Sequence, residues 1–294
     1  MKETVGNTPA VGAAEILRAA GTLGLLGGSA HAAPRILALL CDPGVDSRQV
    51  AALIEREPGL SLRVLRVANS AYYGMSRSVT SVNRALLLLG LDAVRGIAAA
   101  ACMDRTLRAA QQLLPVDVDA LVRHSLAVAA AGESLARHGA RAAASEAFMA
   151  GLLHNLGVAV QLSLRADLSE RLKSALQCHP EGSIRAAEAA VGLPSHEHCI
   201  GVVLEQWQFP FALVEAARQH HLPLAAAAAH RQLAAIVHLG LTLAGQAGWS
   251  CELEPAPRAP EPALLRAAGL DPAVLEAVAA ELPARVDGLS QVLA

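Results

Sequence analysis

The chain has 294 residues, enough for one large domain or two smaller ones with a sizeable hydrophobic core. Hydrophobic residues make up 53% of the sequence but aromatic residues only 2%, so the core must consist mainly of alanine, leucine and valine, which favours helices. The formal net charge is −2 and no basic block occurs, which argues against nucleic-acid binding driven by phosphate contacts.

The first predicted element is a helix over about Ala13–Ala20, and regular helical spacing of apolar residues resumes further along the chain. Asp46 or Ser47 is a suitable N-cap for a following helix, because either side-chain oxygen can accept a free amide of the first turn. The dipeptide Pro58-Gly59 predicts the end of that helix, and Ser61 predicts the start of the next.

The remaining elements are also predicted to be helices, since no sustained alternation typical of strands occurs. The predicted ranges are 83–107 as two helices that meet near Gly90, 117–138, 144–164, 183–191, 196–206, 211–221, an apolar helix after Pro223, and a final pair over 263–292. A Pro-rich stretch, 254–262, is typical of a linker. The sequence therefore predicts an all-α fold.

Cysteine usage and hydropathy indicate a soluble cytoplasmic protein that is not in a membrane. The five cysteines lie far apart and lack zinc-ribbon spacing, which is typical of reduced thiols. The apolar run in 21–34 is broken by glycines and follows Glu3 and Glu15, unlike a signal peptide. The uncharged segment 233–251 contains His238 and is interpreted as a buried core helix.

Eleven histidines stand out in a chain so poor in other aromatic side chains. Histidines from different helices of a bundle can converge and bind a divalent ion, although core packing also explains such a set. The candidates are His124, His154, His196 and His198 on either side of Glu197, His220 and His221.

The segment "GLLHNLG" (151–157) places Asn155 directly after His154, where an aspartate would give a His-Asp pair able to hold a catalytic metal. A hydrolytic metal site needs carboxylates to balance the charge of the cation and to orient the attacking water. An amide offers only a neutral carbonyl oxygen, and the segment 234–244 contains no acidic residue. Both observations predict that catalysis has been lost.

Six short motifs occur in order over about 34–250. They are "AALIEREPGLSLRVLRVANSAYYG" (51–74), "SVNRALLLLGLDAVRGI" (81–97), "RHSLAVA" (123–129), "FMAGLLHNLG" (148–157), "LEQWQFP" (204–210) and "HH" (220–221). These motifs resemble those of the HDOD family, bacterial regulatory domains related to the metal-dependent phosphohydrolases of the HD superfamily, and identify the chain as a member of that family.

The resemblance implies an all-α, two-lobed architecture, with an N-terminal helical lobe packed on an HD-like helical lobe. On this basis, residues 1–30 are an N-terminal extension with a helix, and residues 31–250 form the HDOD domain. Within that domain, 31–108 is the N-terminal lobe and 109–250 is the HD-like lobe. Residues 251–294 comprise the Pro-rich linker and C-terminal helices, which either belong to the domain or cap it.

The resemblance also maps a degenerate metal site onto this chain. His124 corresponds to the first HD-superfamily histidine, and His154-Asn155 corresponds to the His-Asp pair. His196 matches the next histidine, with His198 as an alternative, and His220-His221 matches the paired histidines. The final aspartate falls near Gly240-Leu241 and is absent. No catalytic residue and no bound metal are therefore expected, with a single divalent ion held by the histidines as the alternative.

The "NSAYYG" segment (69–74) contains both tyrosines of the chain. It is interpreted either as a structural joint between the lobes or as a surface that binds a partner protein or a small ligand. Arg63, Arg66 and Arg77 lie nearby in the sequence, so a nucleotide is a further candidate ligand. The residues proposed for such contacts are Asn69, Ser70, Tyr72 and Tyr73.

The favoured interpretation is a non-enzymatic bacterial signal-transduction module, a pseudoenzyme that acts through protein–protein contacts with unidentified signalling partners. The thirty residues before the match have no room for a receiver or kinase segment, so the input is expected from a separate protein or a diffusible ligand. The alternative is a metal-dependent phosphohydrolase, a phosphodiesterase of the HD superfamily, with an altered ligand set in which Asn155 is a weak ligand.

Overall fold

A computed structural model describes residues 11–23, 39, 44–69, 78–114, 116–139, 144–178, 184–251, 253 and 261–290. Within these ranges the protein contains fifteen α-helices, two single-turn 3-10 helices and no β-strand, so the predicted all-α fold is confirmed. The helices are α1 Ala13–Thr22, α2 Ser47–Glu55, α3 Pro58–Ala68, α4 Val82–Leu89, α5 Leu91–Ala109, α6 Val118–Gly139, α7 Ala144–Leu153, α8 Leu156–Leu164, α9 Ser169–Cys178, α10 Ile184–Val191, α11 His196–Gln206, α12 Phe211–Arg218, α13 Arg231–Gln246, α14 Pro262–Ala268 and α15 Pro272–Ser290.

The start of α2 is set by a capping box on Asp46. Its carboxylate accepts a hydrogen bond from the amide of Gln49 at 2.8 Å, and the Gln49 side chain accepts one from the amide of Asp46 at 3.0 Å. Asp46 rather than Ser47 is therefore the N-cap. These two reciprocal bonds give partners to two backbone amides at this helix end that have none within the helix.

The boundary between α2 and α3 differs from the prediction. The third helix begins at Pro58, not after Ser61, because proline fits the first helical position, where its missing amide is not needed. Ser61 lies inside α3, and its hydroxyl donates to the carbonyl of Ile54 at 2.9 Å, which joins α3 to the end of α2. The serine therefore links two helices and caps neither.

The N-terminal helices α2 to α5 pack on one another, and α5 continues the contact to α6 and α7. A fully buried carboxylate strengthens this connection, since Asp104 of α5 accepts hydrogen bonds from Arg63 of α3 at 2.9 Å and Arg108 at 2.8 Å. Arg108 also donates to Asp119 at the start of α6 at 2.7 Å. One charge network therefore joins three helices.

The centre of the HD-like region is formed by α6, α7 and α13, which pack on each other along their alanine-rich faces. The predicted continuous helix over 144–164 is in fact two helices, α7 and α8, with a turn at His154 and Asn155. Nδ1 of His154 lies 2.6 Å from the carbonyl of Gly151, the group that the amide of Asn155 would use in an uninterrupted helix. The segment is apolar on every side, so its periodicity gave no sign of the break.

Two further helix boundaries were wrong and one helix was missed. Helix α12 ends at Arg218, so His220 and His221 lie in the bend that follows it. Helix α13 begins at Arg231, after a single 3-10 turn at Pro223–Ala225. Helix α9 was not predicted at all, because Leu172 is its only buried side chain and the apolar pattern is correspondingly weak.

Both terminal regions pack on the HD-like helices. Helix α1 contacts α8 and α11 through its buried residues Ile16, Ala19 and Ala20. Helix α14 contacts α13, and α15 contacts α6, where Arg285 forms an ion pair with Glu133. The C-terminal helices therefore share the core of the HD-like region.

Within the described residues, one run, Ala144–Leu164, is long and apolar enough to cross a membrane. It is buried inside the protein over most of its length, as is usual for a core helix. The segment 233–251, interpreted above as a core helix, contains most of α13, whose apolar residues are likewise buried. Cys102, Cys178 and Cys199 are free thiols, and burial raises the pKa of Cys102 to about 12.

Candidate functional site

Five histidines from four parts of the chain meet in the interior, and we call His124, His154, His196, His220 and His221 the histidine cluster. His124 comes from α6, His154 from the turn between α7 and α8, and His196 is the first residue of α11. His220 and His221 come from the bend after α12. The first four are at most 1% exposed, and His221 is partly exposed.

The five rings form a continuous series of contacts. Ring centroids lie 5.4 Å apart for His124 and His154, and 5.0 Å apart for His154 and His220. The centroid of His220 is 5.1 Å from that of His196 and 4.2 Å from that of His221. The structure thus brings together the five histidines that the family resemblance aligned with the HD ligand set.

Three of the rings are held by backbone carbonyl groups. A carbonyl oxygen only accepts, so each Nδ1 must carry the hydrogen, and in the neutral ring Nε2 carries the lone pair. Metal-binding histidines in proteins are commonly oriented in this way. The pairs are His124 with Trp249 at 2.7 Å, His154 with Gly151 at 2.6 Å, and His220 with Ala217 at 2.7 Å.

The fourth ring, His196, is held by a carboxylate instead. Its Nδ1 donates to Oε1 of Glu188 at 2.8 Å, and its backbone amide donates to the same oxygen at 3.1 Å. Glu188 lies on α10 and is 1% exposed. The sequence reasoning did not find Glu188, because nothing in an isolated glutamate eight residues before a histidine distinguishes it from a surface residue.

The side-chain nitrogens of three cluster members are close enough to share one ion. One ligand atom from each of His196, His220 and His221 can be chosen so that all lie within 4.8 Å of one another. The Nε2 atoms of His196 and His220 are 3.2 Å apart. Two nitrogens bound to a tetrahedral zinc ion would be about 3.3 Å apart, given zinc–nitrogen distances of about 2.0 Å.

Burial controls the protonation of the cluster. Desolvation holds the pKa of His154, His220 and His221 well below the ordinary histidine value, and the neighbouring imidazoles lower it further. These three rings are therefore neutral at physiological pH. Neutral imidazole is the form that binds metal ions.

Asn155 and His154 have buried polar atoms that no described residue satisfies. Both side-chain atoms of Asn155, and Nε2 of His154, have no hydrogen-bond partner among the residues that the structure describes. Asn155 is fully buried. Buried polar groups are normally satisfied, so such atoms mark a place where an ion or a water molecule fits. The imidazole nitrogens suit a borderline cation such as Zn²⁺.

Two glycines set the distances between the helices of the site. A Cβ on Gly157 would lie 2.0 Å from the carbonyl oxygen of His196, so only glycine lets α8 start against the start of α11. A Cβ on Gly240 would lie 3.0 Å from the carbonyl oxygen of Val128. The family aspartate aligns near Gly240-Leu241, and at Gly240 the close packing of α13 on α6 makes any side chain a tight fit.

Of the two alternatives, His196 and His198, only His196 lies in the cluster. The His198 side chain is exposed, and its backbone amide donates to the Ser195 hydroxyl at 3.2 Å at the start of α11. His238, which sequence reasoning set aside, supports the cluster from α13, because its Nδ1 donates to the carbonyl of His220 at 2.7 Å.

Asn69 links the end of α3 to residue 79. Its side-chain amide donates to the carbonyls of Leu65 at 2.7 Å and Val79 at 2.8 Å, and its carbonyl oxygen accepts from the amide of Val79 at 2.6 Å. These bonds tie residue 69 to residue 79 and give Asn69 a structural role. The other candidates in this segment, Ser70, Tyr72 and Tyr73, lie outside the described residues.

Comparison with known families agrees with the fold and the motifs. The HDOD domain matches residues 28–223, which is more than half of the chain. The protein therefore belongs to the HDOD family, as its motifs predicted.

Solved structures show the same fold. A protein of Marinobacter aquaeolei VT8 named for signal transduction is 24% identical, with a TM-score of 0.75, and the match covers 96% of this chain and 64% of that one. An HDOD domain protein of unknown function from Geobacter sulfurreducens is 18% identical, with a TM-score of 0.73 and coverage of 95% and 97%. A protein of Shewanella amazonensis SB2B named as a phosphohydrolase is 20% identical, with a TM-score of 0.68 and coverage of 95% and 98%.

An uncharacterized protein of Treponema pallidum (strain Nichols) is 22% identical over 181 residues. That match covers 61% of this chain but only 34% of the Treponema protein. The chain thus spans about a third of this relative and 64% of the Marinobacter protein.

Proposed function

We propose that this HDOD protein is a non-enzymatic signal-transduction module that acts through contacts with other proteins in the bacterial cytoplasm. The observation that carries the proposal is the composition of the histidine cluster. Among the described residues, the group able to share an ion consists of His196, His220 and His221 and includes no acid. The signal-transduction name of the Marinobacter relative supports the same interpretation.

The cluster lacks two requirements of a hydrolytic site. Asn155 provides an amide where the resemblance places one acid, and the second acid is absent near Gly240-Leu241. A hydrolytic metal also needs an open position for water and substrate. Four of the histidines and Asn155 are at most 1% exposed, so a phosphodiester has no access to their nitrogens in this conformation.

An activity assay tests this proposal. The tag-free chain is incubated with bis-p-nitrophenyl phosphate, and separately with a nucleotide phosphodiester, in the presence of Mn²⁺ or Zn²⁺. We expect no turnover above that of a His154→Ala variant. Turnover that the variant and a chelator both abolish would overturn the proposal and support the phosphohydrolase alternative.

A second proposal is that the cluster binds one divalent ion with a structural or regulatory role. It is favoured by the unpartnered atoms of His154 and Asn155 and by the three carbonyl-held Nδ1 atoms, which leave the Nε2 lone pairs for an ion. Elemental mass spectrometry of the tag-free protein tests it. A near-stoichiometric ion that is lost in His220→Ala would support it, because His220 belongs to the group able to share an ion. An ion that the variant retains, or no metal in either sample, would contradict it.

The contact surface stays a prediction from the sequence. We propose the "NSAYYG" segment as the part that meets a partner protein, with a nucleotide as the second candidate ligand. On this proposal, Asn155→Ala leaves signalling intact, whereas a change at Tyr73 disturbs it. A signalling defect in Asn155→Ala, with none in the Tyr73 variant, would contradict this proposal.

A further inference from the structure

We propose that Glu188 is the anionic positioning residue of the histidine cluster. Its carboxylate fixes the ring of His196 and strengthens the binding of a divalent ion. This inference rests on the proposal that the cluster binds an ion. Glu188 lies on α10, outside every motif that identified the family, and reaches the cluster only in the folded protein.

The geometry of the contact fixes His196 completely. A single oxygen, Oε1 of Glu188, accepts from both the ring Nδ1 at 2.8 Å and the backbone amide at 3.1 Å. The ring is thereby held relative to its own backbone, and its Nδ1 carries the hydrogen. Nε2 of His196 is then left with its lone pair, 3.2 Å from Nε2 of His220.

The charge of Glu188 points to a cation in the cluster. No lysine or arginine within the described residues forms a salt bridge with it, and His196 is its only ionic partner there. Its second oxygen, Oε2, is buried without a hydrogen-bond partner in the same part of the chain. A buried carboxylate is costly unless a positive charge lies close by. An ion bound to Nε2 of His196 would provide that charge through the imidazole.

A neighbouring acid provides the contrast. Glu197 on α11 is also buried, but its carboxylate forms a salt bridge with Arg185 at 2.9 Å. Glu197 therefore has a direct ionic partner, Arg185, that does not belong to the cluster. Glu188 and Glu197 are two buried acids at the same helix pair, of which only one contacts a histidine ring.

In proteins, a carboxylate behind a ligating histidine selects the tautomer and makes the nitrogen on the metal side more basic. Loss of such a group commonly weakens metal affinity by about 10- to 100-fold. Asn155 cannot contribute a negative charge. On this proposal Glu188 supplies that charge instead, and it acts on the ion indirectly, through the ring of His196.

The test is the Zn²⁺ affinity of the tag-free full chain, measured by competition with a chromophoric chelator. Glu188→Gln keeps the size and an accepting oxygen but removes the charge, and Glu197→Gln is the matched control. We expect Glu188→Gln to bind Zn²⁺ about 10- to 100-fold more weakly, and Glu197→Gln to bind like the parent. Thermal denaturation of the metal-free proteins checks that each variant is folded.

The other outcomes separate the two proposals. If the parent binds Zn²⁺ and Glu188→Gln binds it equally well, Glu188 has no such role, while the ion site stands. Equal weakening by Glu197→Gln would also overturn the role, because the effect would then reflect helix packing. If the parent binds no Zn²⁺, the ion proposal fails and this inference fails with it.

A measurement on the unmodified protein removes any dependence on how the variants fold. Imidazole nitrogen NMR of the Zn²⁺-loaded parent should show His196 with its hydrogen on Nδ1 and its Nε2 resonance shifted by the metal. A hydrogen on Nε2 of His196 would overturn the proposal.

Discussion

The Nε2 atoms of His196 and His220 lie 3.2 Å apart in the interior of the protein. Nδ1 of His220 donates to the carbonyl of Ala217, and Nδ1 of His196 donates to Glu188. In their neutral forms, both rings therefore direct a lone pair at the other, which is unfavourable in a medium of low dielectric constant. A proton or a metal ion between the two nitrogens removes the repulsion, and the separation suits a tetrahedral ion.

The first prediction concerns this pair. His220→Gln should weaken Zn²⁺ binding by more than about 100-fold, because losing a ligand costs more than the 10- to 100-fold typical of its outer-shell partners. Competition with a chelator measures the affinity. The exposed histidine of the same region provides the control, and His198→Gln should leave the affinity unchanged. Equal weakening by both substitutions would place the ion outside the cluster.

The second prediction is that the metal-free protein loses stability as the pH falls below about 6.5, the ordinary pKa of histidine. Burial lowers the pKa of His154, His220 and His221, so in this range protons bind to these residues in the unfolded chain but not in the folded one. The free energy of unfolding therefore falls with pH, by about 1.4 kcal/mol per unit for each histidine, or about 4 kcal/mol per unit for three, until the lowered pKa values are reached.

Urea unfolding of metal-depleted protein at several pH values between 7.5 and 5.5 measures this slope. Replacing the partly exposed member, in His221→Gln, should reduce the slope by about 1.4 kcal/mol per unit. His198→Gln should leave it unchanged. A stability that is constant across this range would mean that the cluster is protonated in the folded state.

The sequence predicted the helices and the five histidines of the cluster from two different kinds of signal. Amphipathic helices such as α2 and α10 show their period in the sequence, and the cap at Asp46 follows from side-chain chemistry. The five histidines were found through short motifs that align with a family. Neither signal depends on knowing which helices touch.

The parts that were missed depend on tertiary contacts. Glu188 reaches the ring of His196 only because α10 lies beside the start of α11. No local sequence pattern predicts that contact. The break at His154 lies in a segment that is apolar on every side, so the period is continuous across it. For His196 and His198, two residues apart, only the burial of the helix start decides which one faces the interior.

The third prediction concerns the loop after α3. Asn69→Ala removes three hydrogen bonds that tie Leu65 and Val79 together, and should lower the free energy of unfolding by about 1 to 3 kcal/mol. Asn83→Ala is the control, because that side chain is exposed like Asn69 but makes one bond, to Glu55 at 3.1 Å. Its effect should stay below about 0.5 kcal/mol. Equal effects in urea unfolding would show that the Asn69 bonds add no stability.

The last prediction uses the tight approach of α8 to α11 at Gly157. Gly157→Ala would place a methyl group 2.0 Å from the carbonyl oxygen of His196, and the two helices must separate to accept it. We expect a loss of about 2 to 3 kcal/mol in the free energy of unfolding, together with weaker Zn²⁺ binding because the backbone of His196 moves.

Gly59→Ala is the matched control, since no atom lies within 4 Å of its added Cβ. That change should be neutral or stabilise helix α3 by up to about 1 kcal/mol. If Gly157→Ala keeps its stability but loses Zn²⁺, the helices tolerate the shift and the glycine serves the site alone; if it keeps both, α8 and α11 do not lie as close as the structure indicates.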